Sequence, residues 1–224
     1  MLSQKEQNTM DKIKIRIDVV SDVVCPWCYI GKRRLENALT RLPDTYEVDV
    51  NFLPFELNPD LPKTGTDHKQ YLASKFGSME RYDQLTEHVG NVAAGEGLKF
   101  DYSKQSVMPN TLDSHRLIQF AKKYNKQAEL KEALMKAYFE DGVDLSKLEN
   151  LVDIATQNGL DKNEVQSFLA SGAGADEIKQ MELLSQQRGV SGVPFYIING
   201  KYGVSGAQPS DAFVEILTEV AAEK

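Results

Sequence analysis

The sequence predicts an α/β domain divided by a helical insertion, with the element order β-α-β, a block of helices, then α-β-β-α. Three observations carry this prediction. Residues 13–20 (IKIRIDVV) and 47–55 (EVDVNFLPF) alternate apolar and polar side chains around an intervening helical pattern. Residues 61–174 show helical spacing and no convincing period of two. Residues 193–204 (VPFYIINGKYGV) read as two strands joined at Asn199-Gly200, the dipeptide that best accepts the positive φ angles of a tight hairpin.

The elements follow in order. Ile13, Ile15, Ile17 and Val19 place one face of the first strand in a core. Leu35, Ala38, Leu39 and Leu42 recur at helical spacing, and Pro26 suits the first turn of that helix, where no backbone donor is missed. Val48, Val50 and Phe52 then mark the second strand, so that strand–helix–strand within one sheet implies a parallel crossover. In the insertion the clearest helices are TLDSHRLIQFAKKY (111–124), with Leu112, Leu117, Phe120 and Ala121 on one side, and AELKEALMKAYFED (128–141), with Leu130, Leu134, Ala137 and Tyr138. A helix over 175–188 precedes the hairpin. The last helix begins at Pro209-Ser210 and carries a stripe of Phe213, Ile216, Leu217 and Val220. The organisation expected is a disordered extension over 1–12, an α/β domain formed by 13–60 with 175–224, and a helical insertion over 61–174.

The 224 residues carry 26 basic and 33 acidic side chains, a net charge of −7 without blocks of like charge, which argues against a nucleic-acid or anionic-membrane surface. The polar first twelve residues run into a charged strand rather than an export signal, and Met10 offers an alternative start. No run of about eighteen apolar residues could span a bilayer, so a cytoplasmic location is expected.

Both cysteines of the chain lie in DVVCPWCYIGKRRLE (22–36), separated by Pro26 and Trp27. A structural disulfide is a poor account, because closing so short a loop removes little entropy and a reducing cytosol would keep it open. A zinc site is also poor: there is no second cysteine pair, and His68, His88 and His115 lack ligand spacing and read as surface or locally hydrogen-bonded residues. A redox-active dithiol fits both spacing and context, since C-x-x-C beside a βαβ pattern reads as thioredoxin-like. At a helix N-terminus the free N–H groups and the dipole favour an anion, which makes Cys25 the nucleophile. Cys28, one turn in and more buried, is the resolving thiol. Lys32, Arg33 and Arg34 read as a solvated basic face, Trp27 as a partly exposed contact for a client, and Phe195 as core.

Together with PFELNP (54–59), NTLDSHRLIQFA (110–121) and GVSGVPFYIINGKYGVSGAQP (189–209), this segment resembles the DsbA-like thioredoxin-fold oxidoreductases. It is most similar to the FrnE-like cytoplasmic branch, related to 2-hydroxychromene-2-carboxylate isomerases and kappa-class glutathione transferases. The resemblance implies a thioredoxin fold interrupted by an all-helical domain and a cis peptide bond between Val193 and Pro194, facing the cysteines. On the residues alone, Pro194 fits a cis bond or a trans proline opening a strand equally well. Substrate would then meet Pro26, Trp27, Val193 and Pro194. Asn110, His115 and Arg116 belong to a motif shared with both related groups and are expected to organise the domain interface or line its cleft, His115 in a structural role. One departure is Trp27, where the periplasmic proteins of this kind carry a histidine that favours the thiolate; a strongly oxidising dithiol is therefore not expected.

The function expected is thiol–disulfide exchange with protein or small-molecule thiols, no bound cofactor or metal, glutathione as a redox partner or co-substrate, and a monomer or homodimer. The first rival is a glutathione-dependent isomerase or transferase, which has no chemical use for a resolving Cys28. The second is a redox-sensing binding module without turnover.

Overall fold

The computed structural model describes residues 12–223, so the expectation of a disordered extension over 1–12 falls almost wholly outside the described residues. The chain opens with β1 (Ile13–Ser21), α1 (Pro26–Leu39) and β2 (Tyr46–Pro54), and β1 and β2 pair in parallel from Ile13↔Tyr46 to Ser21↔Pro54. It closes with α8 (Ala175–Gln187), β5 (Phe195–Ile198), β6 (Tyr202–Ser205) and α9 (Ser210–Ala222). β5 runs antiparallel to both β1 and β6, giving a four-stranded sheet of order β2-β1-β5-β6. The hairpin turns as expected, with φ of 51° at Asn199 and 71° at Gly200. Asn199 Oδ1 also accepts from the Arg16 backbone N–H at 2.9 Å, tying the turn to β1.

Between β2 and α8 lie α2 (His68–Phe76), α3 (Met79–Gly95), α4 (Leu112–Lys122), α5 (Gln127–Phe139), α6 (Leu148–Gln157) and α7 (Lys162–Ser171). This block is helical apart from a two-residue antiparallel ladder between β3 (Thr66–Asp67) and β4 (Val107–Met108), too short to leave a periodic signal.

One core lies between the sheet and helices α1 and α9, where Ile15, Ile17 and Val19 meet Leu35, Ala38, Tyr196, Phe213 and Leu217. The alternation of β1 predicts a single buried face, but this holds only for its first half. From Ile17 to Ser21 every residue is buried, because Val20 packs on its opposite face with Val190 and Ile197. Phe195 is half-buried against this small cluster. A second large core joins the start of α1 to the helical block, from Val23, Cys25, Cys28 and Tyr29 to Leu117, Leu134 and Phe139.

The basic run after the cysteines is not a solvated face. Lys32 is buried and paired with Glu36 and Glu132, Arg33 also reaches Glu132, and Arg34 pairs with Glu96 while donating to the Ala207 carbonyl. These pairs bind α1 to α5 and α3, so the charges are consumed in packing rather than offered to a partner.

Candidate active site

The backbone leaves β1 at Ser21 and turns through Asp22-Val23-Val24 into α1, where Cys25 is the N-cap, with φ −89° and ψ 112°. Its sulfur accepts the Cys28 N–H at 3.3 Å, occupying one of the donors that a helix start leaves free. Pro26 fills the first helical position without wasting a donor. Both cysteines are free thiols and buried, and they approach to 2.9 Å. Burial pushes the Cys28 thiol well above its ordinary value, and the adjacent Cys25 adds to this.

Facing Cys25 across the sheet edge, the Val193–Pro194 peptide bond is cis, and the Val193 carbonyl lies 3.8 Å from the Cys25 sulfur. The structure thus brings Cys25, Cys28 and Val193 together, with Pro26 and Trp27 half-buried at the surface above them. Trp27 packs against the second core, its ring 6.2 Å from that of His88.

Two buried charged side chains complete the surroundings, and sequence reasoning missed both. Asp22 accepts the Leu57 N–H at 2.8 Å and pairs with His115 Nε2 at 3.2 Å. Burial alone would raise its carboxyl, but the hydrogen bond and charge of His115, with the Leu57 N–H and Lys131, hold it below the ordinary range. Lys131 is fully buried on α5, its ammonium 5.6 Å from the Phe52 ring centre. Burial lowers its pKa to about 8, although Cys28, Asp22 and Cys25 each favour its charged form. A signal for Asp22 was present: a carboxylate inside an apolar run directly before the motif. Lys131 also had one, since Lys131, Leu134, Met135 and Tyr138 share the spacing of a buried helical stripe.

The shared-motif residues divide by partner. Asn110 donates to the carbonyls of Pro59 and Leu61 and so anchors the loop after β2, while His115 reaches Asp22 beside the cysteines. Arg116 instead binds the carbonyls of Phe168, Leu169 and Ala173 and the Asp113 carboxylate, which closes α4 onto the end of α7. Of the histidines read as surface or locally bonded, only His88 is exposed; His68 is buried among Tyr82, Tyr102 and Tyr138. Among the described residues no group of three or more His, Cys, Asp or Glu could hold a metal ion.

The DSBA-like thioredoxin domain model matches residues 16–218. The chain belongs to this family. A probable DsbA oxidoreductase from Streptomyces coelicolor superposes with a TM-score of 0.88 at 36% identity, covering 94% of this chain and 91% of that one. Uncharacterized protein YwbO of Bacillus subtilis is 26% identical over 215 residues, 94% of this chain and 99% of that protein. The cytosolic disulfide reductase DsbM from Pseudomonas aeruginosa, solved with GSH, shares the fold, with a TM-score of 0.66 at 16% identity over 92% of this chain and 98% of its own. The expected DsbA-like thioredoxin fold is therefore the one present.

Proposed function

We propose that this DSBA-like protein is a cytosolic thiol–disulfide oxidoreductase in which Cys25 attacks and Cys28 resolves. The observation that carries the reading is the N-cap position of Cys25: its sulfur meets the N–H groups and the positive end of α1, where negative charge on sulfur is favoured. Cys28 stands behind it, buried and held protonated until needed. In the reducing direction the Cys25 thiolate attacks a disulfide R–S–S–R′ and R′–S⁻ leaves. The Cys28 thiolate then attacks the Cys25 sulfur, R–S⁻ leaves, and two electrons have passed from the pair to the substrate. Val193 and Pro194 form the rim on which the attacked sulfur is held, beside the Val193 carbonyl that already lies 3.8 Å from the Cys25 sulfur. Glutathione is the proposed small-molecule redox partner.

Trapping tests the assignment. Cys28→Ser incubated with oxidised glutathione should accumulate a single glutathione adduct on Cys25, read by intact mass, while Cys25→Ser should form none. An adduct confined to Cys28 would reverse the roles. Conversion of a chromene-type or electrophilic substrate that survives Cys28→Ser would favour the glutathione-dependent isomerase or transferase reading instead.

A further inference from the structure

Beside the Cys25 sulfur lies a cavity of about 360 Å³ that thiol chemistry alone does not require. Its floor is the start of α1, with Val24, Cys25 and Trp27, and its walls come from α2, α3, α5 and the segment before β4. The lining is almost wholly apolar and rich in aromatic rings, including Phe76, Tyr102 and Phe139 together with Leu72 and Val89. His68 in the wall is uncharged at neutral pH, since burial lowers its pKa to about 4. Lys75 is the only wall residue with a formal charge, and its ammonium is held at the exposed mouth by Asn58 Oδ1 at 2.6 Å. Two side-chain atoms of these residues, His68 Nδ1 and Gln105 Oε1, are sealed from solvent and have no hydrogen-bond partner among the described residues.

We infer that this cavity binds the organic group of a small aromatic thiol, so that the preferred substrate of the Cys25/Cys28 pair is a mixed disulfide with one aromatic half. The inference rests on the dithiol reading and names the substrate class for it. A volume of this size lies at the small end of ligand sites and accommodates a one- or two-ring group. Walls without carboxylates and with one rim ammonium suit a neutral or anionic ring. The zwitterionic backbone of glutathione does not suit such walls, nor does an extended peptide, which would instead lie along Val193. In the reaction, Cys25 attacks the sulfur carrying the aromatic group and the other thiolate leaves toward solvent. Cys28 then displaces the aromatic thiolate, and the pair is oxidised as the substrate is reduced.

The test uses the full reduced protein with two probes, benzyl 2-hydroxyethyl disulfide and bis(2-hydroxyethyl) disulfide. Oxidation is followed by intact mass after quenching and alkylation of free thiols, and each rate is divided by that of the same disulfide with dithiothreitol. The benzyl probe should react at least about tenfold faster, the usual discrimination available from one well-buried apolar group. Leu72→Trp, which fills the cavity, should bring the ratio to within about twofold of unity on the same grounds. Phe76→Ala, at a 41% exposed position that the fold tolerates, should lower the ratio severalfold. Equal normalised rates in the wild type, or a ratio unmoved in both variants, overturn the cavity assignment. Failure of both probes to oxidise the pair overturns the dithiol reading, and the substrate assignment with it.

Discussion

The Asp22 carboxylate and His115 Nε2 lie 3.2 Å apart, fully buried and 93 residues distant in sequence, and they join the turn that presents Cys25 to helix α4. Removing one partner from a buried pair leaves the other uncompensated, a loss of about 3–5 kcal/mol. His115→Ala should therefore unfold at markedly lower denaturant concentration, and Asp22→Asn should lose less because an amide still meets the Leu57 N–H. The pH dependence has a definite sign. Asp22 is held below its ordinary value of 3.8, so its contribution is present above that value and is lost as pH falls through the lower folded-state value. Acid unfolding curves should be flatter below about pH 4 in Asp22→Asn than in the wild type.

Glu56 shows the opposite behaviour. Burial, then the charges of Glu182 and Asp22, push its carboxyl from 4.5 to about 7, while its own N–H binds Glu182 Oε1 at 2.6 Å. A raised carboxyl stabilises below its unfolded value, and that stability is lost as pH rises through the folded value, here between about 4.5 and 7. Glu56→Gln should remove this loss. Because the side chain is only partly buried, screening reduces the effect to a rise of about 2–4 °C in Tm at pH 8, with little change at pH 4.5. Thermal unfolding at the two pH values reads the difference.

Lys131 links stability to the redox pair. With its pKa lowered from 10.5 to about 8, the charged ammonium weakens the fold at pH 7, and wild-type stability rises as pH passes from 8 to 10.5. Lys131→Met should be more stable at pH 7 by about 2–3 kcal/mol. It should also resolve more slowly, because the lysine charge favours the Cys28 thiolate. Quenched-flow mass spectra should show the Cys25 mixed disulfide persisting longer in the variant.

Gly31 sets how closely α1 approaches β5. A Cβ there would stand 2.3 Å from Tyr196 Oη and 3.2 Å from Pro194 Cγ. Gly31→Ala should cost about 1–3 kcal/mol through overpacking. Tyr196 Oη is buried without a hydrogen-bond partner among the described residues, so Tyr196→Phe alone should be neutral or stabilising, and the double variant should recover most of the loss. A double-mutant cycle in denaturant measures the coupling.

The strands, the hairpin and the helix carrying the cysteines were legible because each rests on local signals: alternation in β1, Asn199-Gly200, and Pro26 behind Cys25. The buried surroundings of the cysteines were less so, because they depend on contacts between distant segments. Nothing in DVVCPWC says that Asp22 meets His115, and Lys32, Arg33 and Arg34 look solvated until Glu132 and Glu96 are brought beside them. His68 likewise reads as a polar loop residue, and only the arrangement of Tyr82, Tyr102 and Tyr138 around it shows it to be core.

The central claim is that Cys25 and Cys28 form a reversible two-electron couple. It is tested most directly by titrating the protein in glutathione redox buffers, following Trp27 fluorescence and counting free thiols at each poise. A single two-electron transition is expected, in which both thiols disappear together and return on reduction, with no such transition in Cys25→Ser or Cys28→Ser, each of which keeps one cysteine and cannot close the disulfide. Two thiols remaining free at every poise would contradict it.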